Sequence, residues 1–315
     1  MKYRCMLGVI ILKNGIYKNK VMNKKAIVVY VDDKEKTLEE FTWLYKTWKL
    51  NDLDTEYDLV VYGPYQINNK LYTDNNLIFR EMNSIPSIDS FWKGYDFVNS
   101  FGMFNDDIER NWILRYDFIL KTDCDVFLTE NLRGLDGNKL HIGFGGYMME
   151  EIDEIQKNLI DIASELNLKY KHINHIGASL YGKTSDVIKI TFFQFKLTKL
   201  ILIRFGNTVG SWPGWFRGVS SMYAIHLSVN HICDLINIKL NVLDEFCGSG
   251  VIDKSTYHIH AWHYEGYFSK HKWFKGEYDK LIVYKIPTIV NEYCHWVVSN
   301  SLDEMLKIKQ INLRG

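Results

Sequence analysis

Tyr116-Asp117-Phe118-Ile119-Leu120-Lys121-Thr122-Asp123-Cys124-Asp125-Val126-Phe127-Leu128 decides how this chain is read. Phe118, Ile119 and Leu120 open an apolar run that Val126, Phe127 and Leu128 resume, so the pattern predicts one buried strand over residues 117–127. Two aspartates, Asp123 and Asp125, stand i, i+2 toward its end. Carboxylate oxygens suit a hard cation such as Mg²⁺ or Mn²⁺ rather than zinc. Mg²⁺ keeps only one or two protein carboxylates and completes its shell with phosphate and water, so such a pair can hold a diphosphate through the metal. Composition alone makes the triplet unremarkable, because 24% of the residues are charged. A second triplet, Asp52-Leu53-Asp54, lies in a polar stretch with no preceding strand and reads as a solvated loop. Position at the end of a core strand separates the two.

Outward from this stretch, residues 25–31 form a β-branched run that ends in Asp32-Asp33. Leu38, Phe41, Leu44, Tyr45 and Trp48 recur at helical spacing over residues 38–50, with Thr37 as the cap. Residues 57–62 form a second short apolar strand, closed by Gly63-Pro64, and helical segments fill residues 90–114. Strands alternating with helices predict an α/β fold with a mixed, mostly parallel central sheet flanked by helices on both faces. Ligands of such sheets bind beyond the carboxyl ends of the strands, where Asp32 and the Asp123/Asp125 pair both fall. The second half reads as a strand over 142–147, a helix over 151–167, a strand over 175–182, a Gly/Trp-rich loop over 210–218 and a helix over 220–236. Ser301 and Glu304 make a capping box that opens a final helix. No repeat or linker divides the chain. The expectation is one domain over 24–315, with a nucleotide-binding half at 24–130 and an acceptor half at 131–315, preceded by residues 1–23 as a leader or extra strand.

Lys plus Arg and Asp plus Glu number 38 each, which argues against a nucleic-acid partner. The apolar run 5–12 is too short to span a bilayer, and no stretch elsewhere is long enough. Residues 192–205, apolar but interrupted by Lys196, Lys199 and Arg204, read as a core helix or strand, with a membrane-surface segment as the alternative. Five scattered cysteines without a Cys-x-x-Cys pair suit reduced thiols. Together these point to a cytoplasmic protein, with peripheral membrane attachment as the alternative. The abundant aromatic residues serve a core, and some suit the apolar faces of sugars.

Tyr257-His258-Ile259-His260-Ala261-Trp262-His263-Tyr264-Glu265-Gly266 puts three histidines in six residues, followed by Lys270-His271-Lys272-Trp273. One reading is a zinc site of a hydrolase built on His258, His260 and His263. Trp262 stands where a dinuclear zinc hydrolase would carry an aspartate, and only His271 and His295 remain downstream as further ligands. The other reading is that one of the three histidines completes the coordination of a metal on Asp123 and Asp125, while Lys270 meets diphosphate charge.

A strand ending in Asp-x-Asp, then the glycine-rich loop 210–218, then the acidic pair Asp244-Glu245, then a C-terminal histidine is similar to the order in GT-A-fold nucleotide-sugar glycosyltransferases. His263-x-x-Gly266 with Lys270 and Trp273 resembles the His-x-x-Gly-x-x-Lys-Pro-Trp element of the glycogenin/galactosyltransferase family, with one extra residue before Lys270 and His271-Lys272 in place of proline. The resemblance covers roughly residues 24–273. It implies a Mn²⁺- or Mg²⁺-dependent transfer of a sugar from a nucleotide-diphosphate donor, UDP-sugar favoured, to a hydroxyl of a carbohydrate or glycoconjugate acceptor. By it, Tyr30, Val31 and Asp32 surround the nucleotide, and Asp123 sits near ribose or metal. Asp125 binds the metal with His263 or His260, and Lys270 contacts phosphate. Gly145-Gly146-Tyr147 and the Trp212–Trp215 part of the loop approach donor sugar or acceptor. An inverting enzyme would need Asp244 or Glu245 as general base; a retaining one would not, and the glycogenin-like element favours retention. A non-catalytic carbohydrate-binding protein is the remaining alternative.

Overall fold

The computed structural model describes residues 24–147, 153–261 and 268–314. The segment 1–23, expected as a leader or strand, lies outside the described residues. In chain order the strands are β1 (Lys25–Tyr30), β2 (Tyr57–Gly63), β3 (Leu77–Glu81), β4 (Phe118–Lys121), β5 (Val126–Leu128), β6 (Leu140–Phe144), β7 (Ile176–Lys183), β8 (Ile238–Leu243), β9 (Glu245–Phe246) and β10 (His258–His260). Seven form a mixed sheet in the order β3-β2-β1-β4-β7-β6-β8, and β5-β10-β9 form a second, three-stranded sheet. The left half of the large sheet is parallel through β3, β2, β1 and β4, whereas β7 runs antiparallel to both β4 and β6.

The pattern of β1 explains the layering. Ala26, Val28 and Tyr30 face a cluster that contains Val187, Ile190, Ile225 and Val229 of the helices Thr184–Phe205 and Ser220–Ile232. Ile27, Val29 and Val31 face Phe41, Leu44, Tyr45 and Trp48 of the helix Glu35–Leu50. A strand buried on both faces needs apolar residues at every position, which is the composition of a central parallel strand. The helix Glu35–Leu50 is itself gripped on a second side. Its Trp43 stacks on Phe127 of β5 at 5.7 Å and packs with Ile259 of β10 and Trp296 of the helix Val290–Ser299. Lys46 from the same helix donates to the carbonyls of Val297 and Asn300, both at 2.8 Å, where the Val290–Ser299 helix ends and its exposed carbonyls favour a cation. One helix thereby ties the small sheet and the C-terminal helices to the large sheet.

Several expectations hold with shifted bounds. The first helix begins at Glu35 on an uncapped Lys34, so Thr37 lies inside its first turn rather than capping it. The capping box is made in both directions, with Ser301 N–H donating to Glu304 and Glu304 N–H to Ser301 Oγ. Residues 192–205 belong to the helix Thr184–Phe205, whose Leu197, Ile201, Leu202 and Phe205 are core. No helix of the described residues is long and apolar enough to cross a membrane. The segment 90–114 is a chain of short turns ending in the helix Asp107–Ile113. Asp52-Leu53-Asp54 forms a 3-10 turn over a buried Leu53, with Asp54 paired to Lys49 and Asp52 to Lys309.

The expected single strand over 117–127 is corrected. β4 stops at Lys121, although the Thr122 amide still donates to Val28 of β1 at 3.0 Å. The chain then crosses to the small sheet, where β5 pairs antiparallel with β10. Both segments are apolar because both are buried, and burial alone does not reveal that they belong to different sheets.

His226, on the helix Ser220–Ile232, is fully buried and bonds Tyr170 Oη through Nε2 at 2.9 Å. Burial, helped by nearby His172, pushes its imidazole down to about 3 from an ordinary 6.5. The folded value lies below the unfolded one, so the unfolded chain takes up a proton between those limits that the native state refuses. Stability is therefore lost as pH falls through that window, at up to about 1.4 kcal/mol per pH unit from this group. In urea unfolding between pH 6.5 and 4.5, His226→Gln is expected to lose stability less steeply than wild type, by about one proton's share of the slope. Equal slopes would show that His226 contributes nothing to it.

Candidate active site

The passage from β4 to β5 places Asp123, Cys124 and Asp125 at the seam between the two sheets. It is pinned at both ends: Thr122 N–H bonds β1, and Asp125 carbonyl accepts from Ala261 N–H at 2.9 Å, just beyond β10. Because β1 and β4 are parallel with Val28 opposite Lys121, Tyr30-Val31-Asp32 and Asp123 leave the sheet at the same edge. On the β1 side, Tyr30 Oη donates to Asp32 at 3.0 Å and Lys34 pairs with both Asp32 and Asp96, while the Val31 side chain is buried in the core.

β10 supplies the histidines. Strand alternation sends His258 and His260 to one face, with Ile259 opposite in the core. His260 meets the aspartates: one oxygen or nitrogen from each of Asp123, Asp125 and His260 lies within 4.8 Å of the others. His260 Nε2 stands 3.3 Å from Asp125 Oδ1, and its Nδ1 stands 3.3 Å from Asp244 Oδ1. Lys270 donates to the other oxygen of Asp125 at 2.5 Å and reaches Glu40 at 3.3 Å. A continuous line of charge thus runs Glu40, Lys270, Asp125, His260, Asp244.

Each member is shifted by its neighbours. Burial alone would raise the Asp125 carboxyl, but Lys270 and His260 outweigh it and hold it below the carboxylate range. Burial would lower Lys270, and Asp125 with Glu40 raises it instead. His260 is likewise carried well above the ordinary imidazole range, against burial, by Asp125 and Asp244. Glu40 moves up, through burial and the proximity of Asp125. Asp123 is the more open member, about a third exposed, with the buried Lys121 ammonium 3.8 Å away.

Two carboxylates and one imidazole make a donor set for Mn²⁺ or Mg²⁺. With bonds of about 2.1 Å in an octahedron, adjacent ligand atoms lie roughly 3 Å apart, close to the 3.3 Å between Asp125 and His260. The residues present therefore fit such an ion.

His258 does something else. Its Nδ1 accepts from the Asp244 amide at 3.1 Å, so its Nε2 carries the proton and bonds Thr122 Oγ1 at 2.7 Å. Burial pushes it down to about 4, which keeps it neutral, and its 3.4 Å approach to the Asp244 carboxylate is not an ion pair. With both nitrogens engaged and the ring fully buried, His258 offers no free lone pair, and the zinc-hydrolase alternative is not favoured. His263, the other histidine proposed from sequence, lies outside the described residues.

The two carboxylates of the acidic pair, Asp244 and Glu245, sit in different surroundings. Asp244 is fully buried, its carboxylate accepting from Ser179 Oγ at 2.7 Å and from Ser179 N–H at 3.2 Å. It is closed off from any acceptor hydroxyl. Glu245, the next residue, opens β9 and is exposed, and burial of part of its side chain together with Asp253 raises its carboxyl. Sequence reading gave no role to Glu40, Lys121, Thr122 and Ser179. Lys121 and Thr122 adjoin Asp123 in the chain, whereas Glu40 and Ser179 reach the site only through the fold.

An aromatic wall stands beside the charges. Tyr147 lies within electrostatic reach of His260, Asp123, Asp125 and Lys270, and Trp212 packs edge-on against it at 5.3 Å. The loop that carries Trp212 is anchored by Trp215, stacked between Phe205 at 4.9 Å and Tyr223 at 4.4 Å. Trp212 itself is 47% exposed.

This sheet order, with an Asp-x-Asp at the seam and a histidine returning from a C-terminal strand, is the GT-A fold. The chain belongs to the family described as Domain of unknown function (DUF7164), which matches residues 19–310. Among solved structures it is similar to an active-site mutant of LgtC, with a TM-score of 0.50 and 12% identity over 79% of this chain and 94% of that one. LgtC in complex with donor and acceptor sugar analogues, described as a galactosyltransferase, gives 0.46 at 12% identity, covering 82% of this chain and 97% of that one. The bifunctional glycosyltransferase WbbM gives 0.47 at 10% identity, covering 94% of this chain and 52% of that one. The first of these shares the fold. No curated protein matches by sequence.

The close cover over Asp244 gives a test of the local geometry. A Cβ at Gly143 would run into the Asp244 carboxylate, and one at Gly177 would sit 2.6 Å from the same oxygen. Gly143→Ala is expected to lower unfolding free energy by about 1–3 kcal/mol, as overpacking does in a tight interior. Urea denaturation checks this, and an unchanged midpoint would show that the carboxylate can move aside.

Proposed function

We propose that this chain is a metal-dependent glycosyltransferase of the hexosyl type that moves a sugar from a nucleotide-diphosphate donor, UDP-sugar favoured, to a hydroxyl of a glycan. The observation that carries the reading is the convergence of Asp123, Asp125 and His260 at the strand edge where Tyr30, Val31 and Asp32 also emerge. The GT-A fold supports it. Asp123, Asp125 and His260 would hold Mn²⁺ or Mg²⁺. A bound cation of this kind would supply charge stabilisation to the departing diphosphate. Lys270, already beside Asp125, would place its ammonium against the same phosphates. Tyr30 and the backbone of Val31 would border the base and ribose, with Asp32 held in place by Tyr30 and Lys34.

Asp244 is fully buried, which favours a retaining transfer over one that uses this carboxylate as base. The Tyr147–Trp212 wall would receive the acceptor, its exposed indole stacking on a sugar face.

The test is thermal shift with nucleotide diphosphates and Mn²⁺, followed by donor hydrolysis and transfer assays. At a hundred times its dissociation constant, a ligand specific for the folded form adds about 2.7 kcal/mol of stability. Asp125→Ala and His260→Ala are expected to abolish the shift and to cut turnover by at least about a hundredfold, as loss of several kcal/mol of charge stabilisation requires. Turnover that survives both changes would sink the assignment. Trp212→Ala should leave donor binding intact and raise the acceptor KM about tenfold, the weight of one aromatic contact. A fall in kcat with unchanged KM would place Trp212 elsewhere in the cycle.

A further inference from the structure

We infer that Asp244 is a positioning residue for metal binding: a buried carboxylate that fixes the ring of His260 so that Nε2 is presented to the cation beside Asp125. The inference rests on the reading of Asp123, Asp125 and His260 as a metal centre and assigns to Asp244 a role other than that of general base.

Three independent observations carry it. The first is the line of contacts. His260 is flanked by Asp244 Oδ1 at 3.3 Å from Nδ1 and Asp125 Oδ1 at 3.3 Å from Nε2, so the two nitrogens have different partners. An imidazole that donates one N–H to a carboxylate turns its other nitrogen outward as an oriented and more basic ligand, the usual arrangement behind metal-binding histidines. The second is the cradle. Asp244 Oδ1 accepts from Ser179 Oγ at 2.7 Å, Oδ2 accepts from Ser179 N–H at 3.2 Å, and Gly143 and Gly177 close over it where any side chain would collide. The carboxylate therefore cannot swing to another rotamer without disturbing β6 and β7. The third is the backbone. Asp244 has φ +62°, a left-handed conformation that costs a non-glycine residue energy and is tolerated best by Asp and Asn. It stands between β8 of the large sheet and β9 of the small one, and this single left-handed residue joins the sheets with its carboxylate beneath His260. Nδ1 of the neighbouring His258 accepts from the amide of the same residue, which leaves the carboxylate to His260.

Asp244→Asn is the decisive variant because Asn keeps the size and the left-handed backbone while removing the charge. Mn²⁺ alone would be titrated by electron paramagnetic resonance into wild type, Asp244→Asn, His260→Ala and the double variant, with circular dichroism and melting followed in parallel. The expected result is a 10–100-fold loss of Mn²⁺ affinity in Asp244→Asn and no further loss when the change is added to His260→Ala. Unchanged affinity in Asp244→Asn overturns the inference. So does an equal loss in both backgrounds, because it would mean that Asp244 acts through the fold rather than through His260. If Asp244→Asn does not fold, Ser179→Ala loosens the same carboxylate and must show a smaller loss that also vanishes in the His260→Ala background. Wild type that binds no Mn²⁺ overturns the metal reading itself, an outcome distinct from a wild type that binds and an Asp244→Asn variant that binds equally well.

Discussion

The Asp125 carboxylate, almost wholly buried, sits between the Lys270 ammonium and the His260 imidazole. An isolated charge at that depth would be costly, and a buried pair is tolerable only when its remaining lone pairs and protons also find partners. Here they do, through Glu40 on one side and Asp244 with Ser179 on the other. This demand explains much of the surrounding architecture. Lys270 comes from the C-terminal region, Glu40 from the first helix, Asp125 from the seam, His260 from the small sheet, and Asp244 from the junction of β8 with β9. The charges can be satisfied only if all of these segments meet.

The small sheet is what makes them meet. β10 lies between β5 and β9, so one strand delivers His260 to Asp125 on one side and to Asp244 on the other. Apolar packing holds it there: Phe127 and Ile259 are both covered by Trp43 of the helix that also covers β1. The polar site and the apolar cluster beneath it are therefore not separable. Hydrophobic burial, which is non-directional, brings the sheets together, and directional contacts at Thr122, His258 and Asp244 set their register.

The same residue types do different work according to which neighbour reaches them. His258 and His260 are two residues apart on one strand face, yet one is a neutral hydrogen-bonding bridge and the other a candidate ligand. The Asp244 amide makes the difference by taking the lone pair of His258. Trp212 and Trp215 are three apart on one loop, and one is sandwiched between two rings while the other is turned toward Tyr147. In each case the partner lies far away in sequence.

The sequence by itself determined the alternation of strands and helices, the parallel left half of the sheet and the arrival of Asp32 and Asp123/Asp125 at strand ends. Those follow from local periodicity and from the need of a doubly covered strand for apolar residues throughout. It also marked His260 as one of three candidates. It did not reveal that residues 117–127 divide between two sheets, since both halves are buried and burial has no address. Nor could it separate His258 from His260, or bring the Asp244 carboxylate against the His260 ring. Those choices depend on hydrogen bonds between residues 14 to 136 positions apart, which exist only once the tertiary packing has brought the two sheets together.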